Sequence, residues 1–471
     1  MNKDFEFIKV KSNDSGIWIY DLETYPNFFS VAFENTHTGV RLFYEISFRR
    51  SDLTGLLVFL KYSDIHKHSF AGFNNLSFDY PILHHIITNQ GQTTVASIYN
   101  KACEIIATPW NQRFTTAIRK PAIRQIDLQK IHHFDNAAKM TSLKTLEINM
   151  GMDSVEELPI KPGTILTDEQ MDTLSKYNFH DIDATCWLYN LTVEQIQLRE
   201  MLSKMYAVDM TNYPDSKIGS AIFTDEFRKR GLPTKGKSPR ISINFNDCIL
   251  DWIKFERFEF NRILQYLKSQ IVKETKGVFI NLAANVDGID YVFGSGGLHG
   301  SVEHRSFFSD DHYDVVLSDV VSYYPNLAIK NVFYPEHLGP AFCDIYEDLF
   351  NKRKSFPKGT PENSALKLAL NSAYGNSNSE YSNLYDPQFT MKITLNGQLL
   401  LALLIENLIK IPSLEIIFAN TDGVMYRVLK TDRGNVKQVC EWWESVTKLE
   451  LEHDEYKKAF ISDVNNYILE D

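Results

Sequence analysis

The residues of this sequence best placed to do chemistry are carboxylates. In Ile17-Trp18-Ile19-Tyr20-Asp21-Leu22-Glu23-Thr24, Asp21 and Glu23 stand two apart on a run that reads as a β-strand, so both point to one face. Two acids on one face repel each other unless a cation sits between them; the other reading is an edge strand with a solvated acidic face. Asp79 follows the turn signal Asn74-Asn75 and opens a helix that tolerates Pro81 in its first turn, as a metal ligand or as a helix cap. Tyr177 and Asp181 lie one turn apart on a helical pattern through Leu174 and Leu188. They can hold a water between a hydroxyl and a metal, or form a plain surface pair, with Asp183 on a different, solvated face. Asp319 closes an apolar run from Val315 and precedes Tyr323, Tyr324 and Pro325. Proline cannot continue a central ladder, so the strand ends near Asp319 and delivers it rigidly, as a ligand or a turn residue. Asp422 sits at the tip of a strand, turn and strand: Leu414 to Ala419, Asn420-Thr421-Asp422-Gly423, then Val424 to Val428.

Other elements must position these groups. Phe70-Ala71-Gly72-Phe73 and Ile126-Asp127-Leu128 read as short strands. Thr141-Ser142-Leu143-Lys144 reads as a helix start, with Lys144 a solvated surface lysine. Residues 195 to 230 are helical in pattern, and a charged helix is expected from Asp251 to Lys276. Phe293-Gly294-Ser295-Gly296-Gly297-Leu298-His299-Gly300 is a glycine-rich loop without the Lys-Ser/Thr of a phosphate-binding P-loop. Two antiparallel helices follow, Cys343 to Lys354 and a second opened by Thr360-Pro361 after the turn Phe356-Pro357-Lys358-Gly359. On the second helix Lys367, Asn371 and Tyr374 share one face, and Gly375 reads as its C-terminal cap.

The bulk properties bound the answer. A chain of 471 residues exceeds one ordinary core, so two or three domains are expected. Apolar content of 44% and charged content of 23% are those of a globular protein, and no long uncharged apolar run predicts a membrane span. Met1-Asn2-Lys3-Asp4-Phe5-Glu6 does not read as a signal peptide. Cys103, Cys186, Cys248, Cys343 and Cys440 are scattered, as expected of reduced thiols in the cytoplasm rather than a cysteine zinc site. The net charge of −11 argues against bulk electrostatic binding of nucleic acid, although grouped basic residues beside metal-neutralised acids still permit it.

Taken together, D-x-E on a strand, N-x-x-x-D and Y-x-x-x-D on a helix resemble the three exonuclease motifs of family B DNA polymerases. Farther along, Asp319, Ser322, Tyr324 and Pro325 resemble polymerase motif A. Lys367, Asn371, Tyr374 and Gly375 match motif B. Asp422 resembles the metal ligand of motif C, with Asn420 in place of that motif's first Asp and Gly423 in place of its Ser. The resemblance implies that Asp21, Glu23, Asp79 and Asp181 hold two divalent metals, that Tyr177 orients the attacking water, and that Thr24, Asn75 and Phe78 grip a frayed 3′ end. Lys144 falls where some members carry a catalytic lysine. It implies that Asp319 and Asp422 hold the polymerase metals, completed by the Val320 carbonyl. Ser322, Tyr323, Tyr324, Arg353, Lys354, Lys367, Asn371 and Tyr374 would then bind the nucleotide. Phe293, Gly296 and Gly297 correspond to the family's Tyr-x-Gly-Gly template loop. Tyr467 belongs to its Lys-x-Tyr primer motif, with Asn465 where lysine usually stands. Phosphodiester hydrolysis needs a deprotonated water and a neutralised leaving oxygen, and two metals about 4 Å apart in a carboxylate cage supply both.

The implied architecture is α/β and α+β multidomain. An RNase H-like exonuclease domain (1–195) and a connecting region (196–300) precede a palm of antiparallel sheet with helices (301–340 and 385–471). The palm is interrupted by a short helical-hairpin fingers domain (341–384), and the thumb is absent or truncated. The implied function is template-directed DNA polymerisation with 3′–5′ proofreading in DNA replication, by a viral, cytoplasmic monomer. It would use Mg²⁺ or Mn²⁺, two per active site, with primer–template DNA and dNTPs as substrates and accessory replication proteins as partners. The short segments around the fingers predict an ordinary primer rather than a protein primer, and weak strand displacement. Rival readings are a 3′–5′ exonuclease with an impaired polymerase half, and a non-catalytic DNA-binding replication component.

Overall fold

The computed structural model describes residues 16–109, 112, 117–136 and 140–471; the N-terminal hexapeptide read above lies outside them. The chain divides into two units, Met1–Asp215 and Ser216–Asp471.

The first unit is built on β1 (Ile17–Tyr25), β2 (Phe28–Asn35), β3 (Arg41–Ser47), β4 (Ser69–Gly72) and β5 (Arg124–Asp127), in sheet order β3-β2-β1-β4-β5. β1, β2 and β3 pair antiparallel, while β4 and β5 run parallel to β1. Its helices are α1 (Leu53–Ile65), α2 (Asp79–Asn89), α3 (Val95–Ala107), α4 (Leu128–Ile131), α5 (Leu143–Met150) and α6 (Asp168–Tyr206). The alternation along β1 sorts its side chains onto two faces. Trp18, Tyr20 and Leu22 enter an aromatic core with Phe33, Phe59 and Phe70. Ile19 faces the other way and packs with Ile182 and Leu188 of α6. Asp21 and Glu23 share the Ile19 face, so the strand's own period aims them at α6. That helix starts with a reciprocal cap between Thr167 and Gln170 and continues unbroken through position 195, where a domain boundary was expected. Leu128 opens α4 rather than extending β5, because the Asp127 side chain accepts from the N–H groups of Gln129 and Lys130.

The second unit contains β6 (Ile243–Asn244), β7 (Ile271–Val272), β8 (Ala283–Val286), β9 (Ile289–Gly294), β10 (Gly297–Ser301), β11 (Arg305–Phe308), β12 (Tyr313–Val320), β13 (Glu415–Asn420), β14 (Gly423–Leu429), β15 (Leu451–Tyr456), β16 (Lys458–Asp463) and β17 (Asn466–Glu470). A seven-stranded sheet of order β15-β12-β14-β13-β10-β9-β8 carries its core, beside a smaller β11-β16-β17 sheet and a β6-β7 pair. Its helices are α7 (Asp215–Lys229), α8 (Phe258–Lys268), α9 (Tyr323–Asn331), α10 (Ala341–Lys354), α11 (Pro361–Gly375), α12 (Pro387–Leu408) and α13 (Arg433–Thr447). The charged helix expected from Asp251 to Lys276 is only the shorter α8, whose apolar stripe Phe260, Ile263, Leu264 and Leu267 is buried. By length and composition α12 suffices to cross a membrane, although no membrane span is expected from the sequence, and most of it is buried inside the unit. Each of its fully buried leucines contributes about 1.5–3 kcal/mol, and the Trp443 indole of α13 donates to the Leu400 carbonyl at 2.8 Å. α11 begins with the Thr360 hydroxyl accepting from the Asn363 N–H and proline at its first position. Gly375 is its last helical residue and not a left-handed cap; Asn376 follows it with right-handed backbone.

Candidate active sites

In the first unit, carboxylate oxygens of Asp21, Glu23 and Asp181 lie within 4.8 Å of one another. β1 supplies two and α6 the third. Asp79, the first residue of α2 and not its cap, is 5% exposed. Its carboxylate accepts from the Leu22 N–H, and its charge acts on Asp21 and Glu23 from just outside the trio. Burial raises the whole set, and repulsion from other members of it adds to the rise at Asp21, Glu23 and Asp79. Asp21 is held well above the usual carboxylate range, Glu23 is pushed up to about 8, and Asp181 is raised by burial to about 6. Burial is the largest cause of the rise of Asp79 to about 7, reinforced by the charge of Asp127. Buried acids that resist ionising beside one another form a cage that a divalent cation fits.

Tyr177 lies on the same helix face as Asp181, and burial followed by the Asp181 charge raises its phenol far above the ordinary range. Lys144 is not the solvated lysine of the sequence reading. It is the second residue of α5, just inside the Ser142 cap, and donates to the Tyr177 hydroxyl at 3.1 Å and to the Glu156 carbonyl. Its charge lowers the pKa of Glu23 and Asp181. Asp183 is exposed on another face, as its spacing implied, but is paired with Arg41. Asn178 was missed. It is fully buried and donates to Asp21 Oδ2 at 2.7 Å, fixing that carboxylate's orientation.

Of the residues expected at a 3′ end, Thr24 is half-buried beside Glu23 and Phe78 packs partly against the aromatic core. Asn75 is a correction. It is 0% exposed with its amide 3.0 Å from Gln125 Oε1, so its side chain shapes the turn and offers nothing to a ligand. The turn is fixed by Asp127, which accepts from the N–H groups of Asn74 and Leu76.

In the second unit, β12 ends at Asp319 and Val320, with Gly423 of β14 and Glu452 of β15 directly opposite Asp319. The β13–β14 hairpin places Asp422 beside it. A Cβ on Gly423 would fall on Asp319 Oδ1, so glycine here leaves the carboxylate its place. Burial and then the Asp422 charge raise Asp319 to about 6, and Asp422 is raised by burial. The two carboxylates open into a cleft of about 740 Å³, also lined by Val320, Ser322, Tyr324, Arg353, Lys354, Lys358, Lys367, Asn371, Tyr374 and Glu452. Glu452 was not foreseen, because only strand pairing brings it to Asp319. Asn420 is turned away, its amide donating to the Val464 carbonyl at 3.2 Å.

Cations and free N–H groups face these acids. α9 starts without a side-chain cap, so its first N–H donors remain available at the cleft. Ser322, just before it, adopts a left-handed backbone with φ 45°, and Thr421 beside Asp422 has φ 57°. Such conformations cost about 1–3 kcal/mol and persist where the surroundings impose them. Arg353 Nη1 is 3.5 Å from Ser322 Oγ, and Lys354 lies over the Phe350 ring at 4.4 Å. The rings of Tyr324 and Tyr374 meet at 4.5 Å. The Tyr324 hydroxyl donates to the Gly296 carbonyl at 3.0 Å, and the Tyr374 hydroxyl donates to the Ser295 backbone carbonyl at 3.4 Å.

Two further expectations need correction. The Tyr323 ring is 3% exposed and its hydroxyl donates to the Gly397 carbonyl, so its side chain is structural and only its backbone is left for a nucleotide. Phe293 is 1% exposed, on the inward face of β9, so its side chain cannot contact a template. The glycine-rich stretch is a β-hairpin rather than a loose loop. Gly297, at φ 139°, is where Thr421 Cα comes within 2.9 Å of a would-be Cβ. Tyr467 stacks on Phe418 at 4.8 Å on the β16–β17 hairpin, whose turn holds Asn465.

No protein-family model and no curated protein matches the chain. Among solved structures it is similar to the family B DNA polymerase from the hyperthermophilic archaeon Pyrobaculum calidifontis, with a TM-score of 0.49 and 15% identity. The match covers 96% of this chain and 58% of that one, so this chain spans a little over half the length of that polymerase.

Proposed function

We propose that the chain is a template-directed DNA polymerase with a 3′–5′ proofreading exonuclease. The observation that carries the reading is the pairing of Asp319 with Asp422 at the foot of a cleft whose other wall bears Arg353, Lys354 and Lys367. Acids hold cations and cations hold phosphate, and one cleft with both suits a nucleoside triphosphate and a primer end. Bound Mg²⁺ would lower the charge barrier to attack on the α-phosphate and neutralise the departing pyrophosphate. Asp319, Asp422 and the Val320 carbonyl would hold it, with Glu452 near enough to add charge. Lys367, Arg353 and the N–H groups at the start of α9 bind the triphosphate. Tyr324 and Tyr374, braced on the β9–β10 hairpin, form the floor for the sugar and the new base pair.

In the first unit Asp21, Glu23 and Asp181 would hold the hydrolytic metals, with Asp79 adding charge. Tyr177, polarised by Lys144, orients the attacking water. The sheet order of that unit supports an RNase H-like domain, and the helical pair α10–α11 beside the seven-stranded sheet supports a fingers-and-palm arrangement. An exonuclease with a weak polymerase half is the second reading, favoured by Asn420, which leaves the cleft without the carboxylate usual at that position.

The test is a labelled primer–template with a mismatched 3′ end and Mg²⁺, with and without dNTPs. Trimming followed by extension supports the dual reading. Trimming alone supports the second, and an unchanged primer under both conditions rejects both.

A further inference from the structure

Beside the Asp21–Glu23–Asp181 group lies a second set of potential ligands, of which the nuclease reading uses only the shared Asp181. One carboxylate oxygen each of Glu147 and Asp181 and a ring nitrogen of His180 lie within 4.8 Å of one another. Glu147 projects from α5, and His180 and Asp181 from α6. The Glu147 side chain is 0% exposed, and its Oε2 is 3.2 Å from His180 Nε2. Its other oxygen, Oε1, is buried and has no hydrogen-bond partner among the described residues. An unmatched buried carboxylate oxygen has given up its hydration with nothing in return. A His180–Glu147 hydrogen bond alone leaves that loss standing, and Lys144, one turn away on α5, directs its Nζ to Tyr177 and the Glu156 carbonyl instead.

We propose that Glu147, His180 and Asp181 bind a divalent transition-metal ion of the zinc or manganese class, distinct from the hydrolytic pair. The donor set carries the choice of metal: an imidazole with two carboxylates suits Zn²⁺ or Mn²⁺, whereas Mg²⁺ prefers oxygen and retained water. The His180 surroundings fit as well. Its Nε2 faces Glu147, while Nδ1 lies 3.9 Å from Glu156 Oε1, beyond a hydrogen bond but close enough for that carboxylate to turn in and orient a metal-bound imidazole. Asp181 has two oxygens and can serve both groups, so the ion would brace α5 against α6 and set the angle at which Asp181 meets the nuclease site.

The test uses the full chain with Zn²⁺ as the probe and excess Mg²⁺ to occupy oxygen-only sites. Titration calorimetry should find one Zn²⁺ per chain, and anomalous scattering from crystals grown with Zn²⁺ should place it between α5 and α6. Glu147→Gln and His180→Gln should each weaken binding by at least about 10- to 100-fold, the size that even outer-shell changes reach. Glu23→Gln should remove primer trimming yet keep the ion, which separates this proposal from the nuclease reading. If Glu147→Gln fails to fold, His180→Gln and the position of the peak in the unsubstituted chain decide. An absent peak at these residues, or affinity unchanged in both variants, overturns the proposal.

Discussion

The backbone N–H of Val320 donates to the carbonyl of Asp422 at 2.8 Å. This bond ties the end of β12 to the tip of the β13–β14 hairpin and holds the Asp319 and Asp422 carboxylates side by side. Gly423 completes the arrangement, because Asp319 Oδ1 occupies the space of its missing Cβ. Gly423→Ala must therefore displace Asp319. A misplacement of roughly 1 Å costs about 100-fold in rate, so nucleotide incorporation should fall by that order while mismatch trimming stays intact. Equal incorporation by Gly423→Ala would show that Asp319 is not a ligand whose position matters.

Tyr324 is fixed from two sides, by the Gly296 carbonyl and by the Tyr374 ring. A ring so held presents an unyielding edge to the sugar, and a 2′-hydroxyl would meet it. Tyr324→Ala should raise ribonucleotide incorporation relative to deoxyribonucleotide by roughly 10- to 100-fold, the range that one pocket contact commands. Single-nucleotide insertion kinetics with matched rNTP and dNTP pairs measure it, and an unaltered ratio would assign sugar selection elsewhere.

Asn178 gives a cleaner test of the first unit than any ligand does. It donates to Asp21 Oδ2 at 2.7 Å and is fully buried. Asn178→Ala leaves every carboxylate in place and removes only the orientation of Asp21. Trimming should fall by about 10- to 100-fold, as for loss of an outer-shell partner, with extension unchanged. The Mg²⁺ concentration needed for half-maximal trimming should rise with the loss.

The raised carboxylates also set a pH dependence of stability. Burial first, then repulsion, lifts Glu23 from an ordinary value of 4.5 to about 8, while burial lifts Asp181 to about 6. Asp79, also raised mainly by burial, stands at about 7. Between the ordinary values and these raised ones the folded chain binds more protons than the unfolded chain. Stability of the metal-free protein therefore falls as pH rises from about 5 to about 8. Thermal melts across that window should show the first unit's Tm falling without metal and holding level with saturating Mg²⁺, since a cation replaces the lost protons. A Glu23→Gln variant should show a shallower fall. A metal-free Tm that climbs through the window would contradict the cage.

Local signals in the sequence located most of the elements: the two-residue period placing Asp21 and Glu23 on one face, Thr360-Pro361 opening α11, and the Asn420-Thr421-Asp422-Gly423 turn of the β13–β14 hairpin. What could not be read is what long-range pairing decides. Glu452 reaches Asp319 only through the β12–β15 ladder, and Glu147 reaches His180 only because α5 packs on α6. Lys144 looked like a surface residue because nothing local announces Tyr177 above it. The errors at Asn75, Tyr323 and Phe293 share another cause: residue type and position in a motif carry no information on burial, and all three side chains point inward. Phe293 had a local clue in the alternation of β9, which puts it on the same face as the buried Ile289 and Tyr291.

The most direct measurement compares Asp422→Asn and Glu23→Gln on labelled primer–templates, one matched and one mismatched, with Mg²⁺ and dNTPs. Two separate carboxylate sites predict that Asp422→Asn trims without extending. They also predict that Glu23→Gln extends a matched primer normally and fails to trim the mismatched one. Loss of both activities in either variant, or of neither in both, would contradict the assignment of the two sites.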